Sequence, residues 1–254
     1  MVSTKPNSGR AVRILVWNLL AIVAVIGVLT ALLFPRTWTL KEGKIFEAKI
    51  EMANLAAAIK GCQTEYGKVP VSSNVTGSPD FTFGTYGTSD EVFGITNASG
   101  YQANNSEVMA ILMDLDGFPD GTNIINASHS SSPQRTSFLL GRIVSRTNSP
   151  GIGPDHVFRD PWGHPYIITI DLNGDNKCRD AFYKLASVSE IDSSPRGLLG
   201  LVRPTPPPYH SPETRDSFEV TNATVTIWSF GPDGKADRTV KANQGVNQDN
   251  LTSW

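Results

Sequence analysis

Hydrophobic positions follow three different patterns along this chain, and each predicts a different kind of element. The first is an unbroken run. Ile14 to Phe34 carries no charge over 21 residues, and Asn18 and Thr30 are its only clearly polar side chains. At about 1.5 Å per residue such a helix spans about 30 Å, the thickness of a bilayer core. A secretory signal is shorter and ends at a small-x-small site, whereas Phe34-Pro35-Arg36-Thr37-Trp38 follows here. The run therefore predicts a retained membrane anchor over 14–34, with residues 1–13 as a leader. Lys5, Arg10 and Arg13 before it nearly balance Arg36, Lys41, Lys44 and Lys49 after it, so positive charge does not set the orientation. The remainder is long, neutral-polar and rich in turns, as exported domains are, which places the N-terminus in the cytoplasm.

The second pattern is periodic. Between Lys44 and Gln63, residues Ile45, Ala48, Met52, Leu55, Ile59 and Cys62 recur at spacings of three and four, with the charged residues mostly on other faces. Four alanines, Ala53, Ala56, Ala57 and Ala58, add helix propensity. The spacing predicts an amphipathic helix over 35–66 that continues from the anchor, with Pro35 and Gly43 kinking or loosening the join. Gly67 suits the position just past the helix, and Pro70 stops it.

The third pattern is short and interrupted, over 67–254. Residues 71–102 read as irregular, with Phe81, Phe83, Tyr86, Phe93 and Tyr101 as anchors. Asn105 to Met113 reads as a short helix opened by an Asn/Ser cap. Tyr166–Ile170 and Thr224–Phe230 are enriched in β-branched and aromatic residues and predict strands. Phe182–Leu185 is a candidate for another, Pro204–Pro208 is a proline-rich linker, and Gly231–Trp254 reads as a loop. The order is α+β: a long N-terminal helix on a small antiparallel sheet, closed by an ordered C-terminal loop.

Composition changes this picture little. Hydrophobic residues make up 39% and charged residues 18% of the 254, and the net charge of -2 lacks the basic excess of a nucleic-acid binder. Cys62 and Cys178 are too few for a disulfide framework and too far apart for a CxxC motif. They either pair with each other or serve as small buried apolar side chains.

Several segments resemble the G-type major pseudopilins of type II secretion systems, members of the type IV pilin-like proteins. Ile50–Leu55 through Glu65–Pro70 is similar to that family's "ANL…A…Y…NGRYP" pattern. Asp160-Pro161-Trp162-Gly163-His164-Pro165-Tyr166 resembles its DPWGxPY signature. Trp228–Lys235 resembles its "SxGxDGK" segment, and Gln248–Trp254 its closing "DI…W". Residues 71–155 and 190–215 look like insertions. The chain departs from the family at its start: Gly9-Arg10-Ala11-Val12-Arg13 precedes the run and no acid occurs before Glu42, so the prepilin peptidase site is absent or degenerate. The resemblance implies a bacterial fibre subunit in the inner membrane with a periplasmic body, whose partners are further copies of itself and other secretion-system subunits. A membrane-anchored pilin-like binding module that never polymerises is the alternative.

The resemblance also implies a calcium ion in the closing loop, with Asp233 and Asp249 at its acidic positions. Oxygen-bearing side chains recur there, at Ser229, Asp233, Asp237, Asn243, Asn247 and Asp249, and calcium takes six to eight oxygens in flexible geometry. Asp171-Leu172-Asn173-Gly174-Asp175 is similar to the start of an EF-hand loop. Its glycine is displaced and Phe182 stands at the twelfth position, so a β-turn between strands is the better reading. The histidines are scattered and no GxSxG, HExxH, CxxC or P-loop occurs, so the sequence predicts a non-enzymatic role. Six N-x-[ST] sequons (Asn74, Asn97, Asn104, Asn126, Asn222 and Asn250) are what chance supplies in a chain this rich in Asn, Ser and Thr.

Overall fold

A computed structural model describes residues 8–72, 79–85, 104–118, 121, 124–192, 194–204 and 211–254. Tyr86, Phe93, Tyr101, Asn74, Asn97, His210 and most of the proline linker lie outside the described residues. The chain divides into two units, Met1–Lys44 and Ile45–Trp254. Helix α1, Ser8–Tyr66, is assigned without interruption, so neither Pro35 nor Gly43 ends it.

In the first unit the described apolar side chains have no protein cover. Leu15, Trp17, Leu19 and Val23 are 73%, 72%, 64% and 60% exposed. Among the described residues no helix is long and apolar enough to cross a membrane. Of the 14–34 run, residues 14 and 31–34 lie outside the described side chains.

The second unit holds the end of α1 and the sheet. The predicted stripe is the buried one: Ala48, Met52, Leu55, Ile59 and Cys62 are all buried, joined by Ala58. Gly67 closes the helix in left-handed geometry (φ 66°), and its N–H donates to the Gln63 carbonyl at 2.9 Å. That bond satisfies one of the carbonyls a helix end leaves open.

The sheet has four antiparallel strands. They are β1 (Asp80–Phe83), β4 (Ile167–Asp171), β7 (Val225–Ser229) and β8 (Leu251–Thr252), in the order β1-β4-β7-β8. Two small ribbons accompany it, β2 (Gly151–Ile152) with β3 (Phe158–Arg159) and β5 (Lys177–Cys178) with β6 (Val220–Thr221). The short helices are α2 (Ser106–Leu112), α3 (Ala186–Ser189) and α4 (Pro212–Arg215). Strand alternation sends Phe81, Phe83, Ile168, Ile170, Val225 and Ile227 into one core with the stripe of α1. At one edge of this contact the Tyr166 hydroxyl donates to Glu51 Oε2 at 2.6 Å. Burial raises the pKa of both groups.

Three expectations are corrected. Phe81 and Phe83 lie in a strand, β1, where an irregular stretch was expected. Phe182–Leu185 is a turn leading into α3, because Asp180 Oδ1 accepts the N–H groups of Phe182 (2.8 Å) and Tyr183 (3.0 Å) and bends the chain there. Asn105 makes no side-chain cap for α2. Its amide is buried instead, donating to the Phe158 and Tyr166 carbonyls (both 2.9 Å) and accepting from Phe158 N–H (3.0 Å), which ties β3 to the entry of β4. Both cysteines are free and buried. Desolvation pushes the Cys62 thiol up to about 11.

The opposite face of the sheet is buried as well. Ile167 and Trp228 pack with Phe182, Tyr183, Leu185, Val188, Leu201 and Phe218 in a second core. Residues 181–188, 201 and 218–220 thus form a layer, and the part of the chain that looked like an insertion (190–215) contributes Leu201 to it. Between these apolar groups runs a row of threonines in register, Thr82, Thr169 and Thr226. Thr82 and Thr169 hydroxyls meet at 3.0 Å, and Asp180 Oδ2 accepts from Thr169 (2.7 Å) and from the Trp228 indole N–H (3.1 Å). Asp180→Ala leaves four buried donors facing a void, so it is expected to lower stability by about 3 kcal/mol in thermal melts, while the exposed Asp175→Ala stays near wild type.

Candidate functional site

Two of the segments that carry the family resemblance meet at one end of the sheet. Asp160, fully buried, folds the DPWG segment on itself. Its Oδ1 accepts the N–H groups of Trp162 and His164, both at 2.9 Å, and Gly163 turns at φ 96°. The Asp-Pro-x-Gly order makes this possible: proline presets the first turn residue and glycine supplies positive φ. The remaining oxygen, Oδ2, accepts from Ser229 Oγ at 2.5 Å, and Ser229 Oγ in turn accepts Gly231 N–H at 3.0 Å. The turn after β4's partner strand is thereby locked to the turn before β4.

His164 completes the junction. Its ring lies over Gly234, where a Cβ would come within 2.3 Å of Nε2, so a side chain at 234 and the imidazole exclude one another. The Asp160 carboxylate, 3.7 Å from the imidazole Nδ1, raises the His164 pKa, burial opposes this, and the charge of Asp233 adds to the rise. Ser229, Asp160 and His164 are adjacent, and the serine hydroxyl donates to the carboxylate and not to the imidazole.

The closing loop is held by side-chain amides. Asn247, buried, accepts Asp237 N–H (2.8 Å) and donates to the carbonyls of Asp237 (2.8 Å) and Val240 (2.7 Å). Asn250 donates to the Phe230 and Lys235 carbonyls at 3.1 and 3.2 Å. Lys241 Nζ and Ala242 N–H fasten the loop to the Ala186 and Val188 carbonyls of α3, both at 2.9 Å. Trp254 packs edge-on to Tyr183 at 5.3 Å.

The four residues expected to hold calcium are distributed across this loop. Ser229 is committed to Asp160 and Gly231. Exposed Asp233 accepts Lys235 N–H at 2.8 Å, and Asp237 accepts the N–H and hydroxyl of Thr239 at 2.8 and 2.7 Å, which lowers its pKa. Asp249 is half-buried, and its backbone carbonyl would lie 2.1 Å from a Cβ at Gly231. Among the described residues no three His, Cys, Asp or Glu side chains converge as a metal group. Side chains alone thus do not supply a calcium shell; backbone carbonyls would have to provide most of it. Sequence reasoning singled out Asn247 as a candidate oxygen ligand and Asp160 as a turn residue, but not the contacts by which they and Asn250 organise this end of the sheet. An asparagine buried for its carbonyl contacts has no spacing signature.

The acidic 171–177 segment is the turn expected there. Asp171 accepts Gly174 N–H at 2.7 Å and Asn176 N–H at 2.8 Å, spending both oxygens on its own loop. Asn126, one of the sequons, is fully buried and bonded to Asp114, Leu115, Ser131 and Ser132. His129 sits on Asp114 at 2.7 Å, and His156 stacks on Phe118 at 4.7 Å. Comparison of the chain with protein families, with characterised proteins and with solved structures finds no match.

Two groups set a pH dependence. Burial pushes Asp80 up to about 6, with Arg179 N–H opposing and the Asp171 and Asp175 charges adding to it. A carboxyl whose folded pKa lies above its unfolded value favours folding when protonated, so its contribution falls as pH rises from about 4 to about 6. His164, also raised, stabilises fully below its unfolded value and loses that contribution as pH rises through its folded one. Stability should therefore increase on acidification from pH 8 towards 5. Asp80→Asn should flatten the lower part of that rise by on the order of 1 kcal/mol after allowance for solvent screening, and His164→Gln the upper part, both read from melts across pH.

Proposed function

We propose that this chain is a structural subunit of a type II secretion pseudopilus or a related type IV pilin-like fibre. It would be held by residues 14–34 in the cytoplasmic membrane, with its body in the periplasm. The observation that carries this reading is the division of labour along α1. A helix apolar on every side needs a lipid or protein surround, and the described side chains from Leu15 to Leu29 have none within their unit. The same helix then presents a one-sided stripe that covers an antiparallel sheet. The direct bond between the two signature segments, Asp160 to Ser229, adds to the resemblance that first pointed to this family.

A fibre also needs contact surface on the body. Phe46 (66% exposed) and Ile50 (44%) stand on the outer face of α1. They run in helical steps to a groove of about 390 Å³ lined by Asn54, Ala57, Gly61, Phe138 and Leu140, the last 96% exposed. Repeated head-to-tail contacts through such a surface generate a helical filament. The alternative, an anchored pilin-like module that stays monomeric, draws on Gly9-Arg10-Ala11-Val12-Arg13, which differ from that family's peptidase site.

The full chain, co-produced with a pseudopilus assembly system, should appear as shear-released polymer. Phe46→Glu with Leu140→Glu should abolish the polymer while leaving the melting temperature unchanged. A chain that stays monomeric in the membrane fraction, with an intact Met1 or Val2 start by mass spectrometry, would decide for the alternative.

Calcium belongs to the same proposal, with Asp233 and Asp249 and neighbouring backbone carbonyls as ligands. Binding to the native state alone would stabilise it by about 2.7 kcal/mol at a hundredfold excess over the dissociation constant. The melting temperature should be higher in calcium than in chelator. Asp233→Ala or Asp249→Ala should remove the difference and Asp175→Ala should not. Equal melting temperatures for the wild type would eliminate the site.

A further inference from the structure

Asn173-Gly174 is the one Asn-Gly pair in the 254 residues, and every other asparagine precedes a residue with a side chain. The peptide nitrogen after an asparagine can attack the side-chain carboxamide carbon and close a five-membered ring. A following residue without a Cβ leaves that nitrogen least hindered and its backbone freest to turn. Here residues 173–176 are exposed, Gly174 turns at φ 75°, and a Cβ at 174 would meet nothing within 4 Å. The ring and an incoming water therefore both have room.

Folding sets three groups on this pair. Asp171 Oδ1 accepts the Gly174 N–H at 2.7 Å, which is within the reach of a general base. The other Asp171 oxygen accepts Asn176 N–H at 2.8 Å, so the carboxylate is held in place. On the carboxamide, Asn173 Oδ1 accepts the Asp175 N–H at 3.2 Å, a donor aimed where negative charge develops when the carbon is attacked. The leaving nitrogen, Nδ2, donates to Asp175 Oδ2 at 3.3 Å. A side chain that bonds the backbone two residues ahead folds over the peptide unit between them, which holds the carboxamide carbon beside the Gly174 nitrogen. Asp171 is the last residue of β4, buried and paired with Asp80 of β1. The base is thus in position only once the strands have paired.

We propose that the folded 171–175 turn is a self-modification site, at which Asn173 deamidates with Asp171 as the base. The Gly174 nitrogen bonds to Asn173 Cγ as its proton passes to Asp171 Oδ1. The Cγ–Nδ2 bond breaks, and Nδ2 leaves as ammonia carrying that proton. The resulting succinimide takes up one water, which opens either of its two ring C–N bonds to the Gly174 nitrogen. One opening leaves an aspartate at 173. The other leaves an isoaspartate, whose main chain runs through the former side-chain carbon and is one atom longer between β4 and β5. Either product adds a negative charge beside Asp171 and Asp175. Because strand pairing assembles the base, the extent of conversion records the time since the body folded. The inference rests neither on the anchor nor on polymerisation.

The test incubates the full chain in detergent micelles beside the end-capped peptide Asp-Leu-Asn-Gly-Asp-Asn-Lys, at the same neutral pH and temperature. Peptide mapping by mass spectrometry should show Asn173 gaining the mass difference between an amide and an acid. Conversion should run at least threefold faster in the folded chain than in the peptide, and ahead of every other asparagine. Isoaspartyl methyltransferase should label the same segment in aged chain and not in fresh chain. Unfolding the wild type in urea should bring its rate down to that of the peptide. Asp171→Asn keeps an acceptor for the Gly174 N–H but supplies no base. At a temperature where its melt shows it folded, it should convert no faster than the peptide; if it does not fold, the urea comparison decides alone. The proposal is overturned if the folded chain converts no faster than the peptide, which is the result expected of hydrogen bonds that only protect the turn. It is overturned too if urea leaves the rate unchanged or raises it, or if folded Asp171→Asn matches the wild type.

Discussion

Asp180 is the residue on which the two-layer body depends. A sheet whose second face carries a row of threonines and an indole N–H can be buried only if those polar atoms find partners in the covering layer. Asp180 provides them for the central threonine and the indole from a single carboxylate: one oxygen serves Thr169 and Trp228, the other turns the chain into the segment that covers them. The covering layer and the satisfaction of the face it covers are thus the same event. Without it, the apolar residues of the second core would have to close over unpaired donors, which opposes burial by several kcal/mol.

The same constraint explains the other buried polar residues. Much of this body is irregular chain, and irregular chain brings backbone groups inside that no helix or ladder satisfies. Asn105 joins α2 to the β3–β4 connection, Asn126 ties Asp114 and Leu115 to Ser131 and Ser132, and Asn247 closes the loop before β8. Asp160 does so for the DPWG turn. Each is a short side chain with donors or acceptors on both branches of a fork, placed where two chain segments run side by side. A body assembled this way is specified by a handful of amides and carboxylates as much as by its apolar residues.

This division decides what could be read from the sequence. The stripe of α1, its glycine stop, the two central strands and the 171–177 turn were legible, because each rests on periodicity or on local turn chemistry. β1 was not: Asp80-Phe81-Thr82-Phe83 is four residues long, and pairing with β4 makes it a strand. The aromatic run at 182–185 looked like a strand because its turn is set by the preceding aspartate. Asn105 stood where a helix cap belongs, yet its side chain faces the core. At the candidate site the sequence pointed to the two segments that meet, but not to their contact, since Asp160 and Ser229 are joined only by the fold.

The sheet register has a further consequence, for the timing of folding. The central strand β4 must wait on one side for β7 and on the other must find residues 80–83, which precede it by most of a domain's length. Its edge is finished by residues 251–252. Contacts of such wide sequence separation carry a large loop-closure cost before they return any stability, and chains dominated by them fold slowly. A body of this kind, synthesised from its N-terminal end, would have its helix available early and its sheet complete only after the last strand had followed. During that interval the apolar stripe of α1 would be uncovered, which makes the helix itself the surface that a nascent copy of this chain most needs to have shielded.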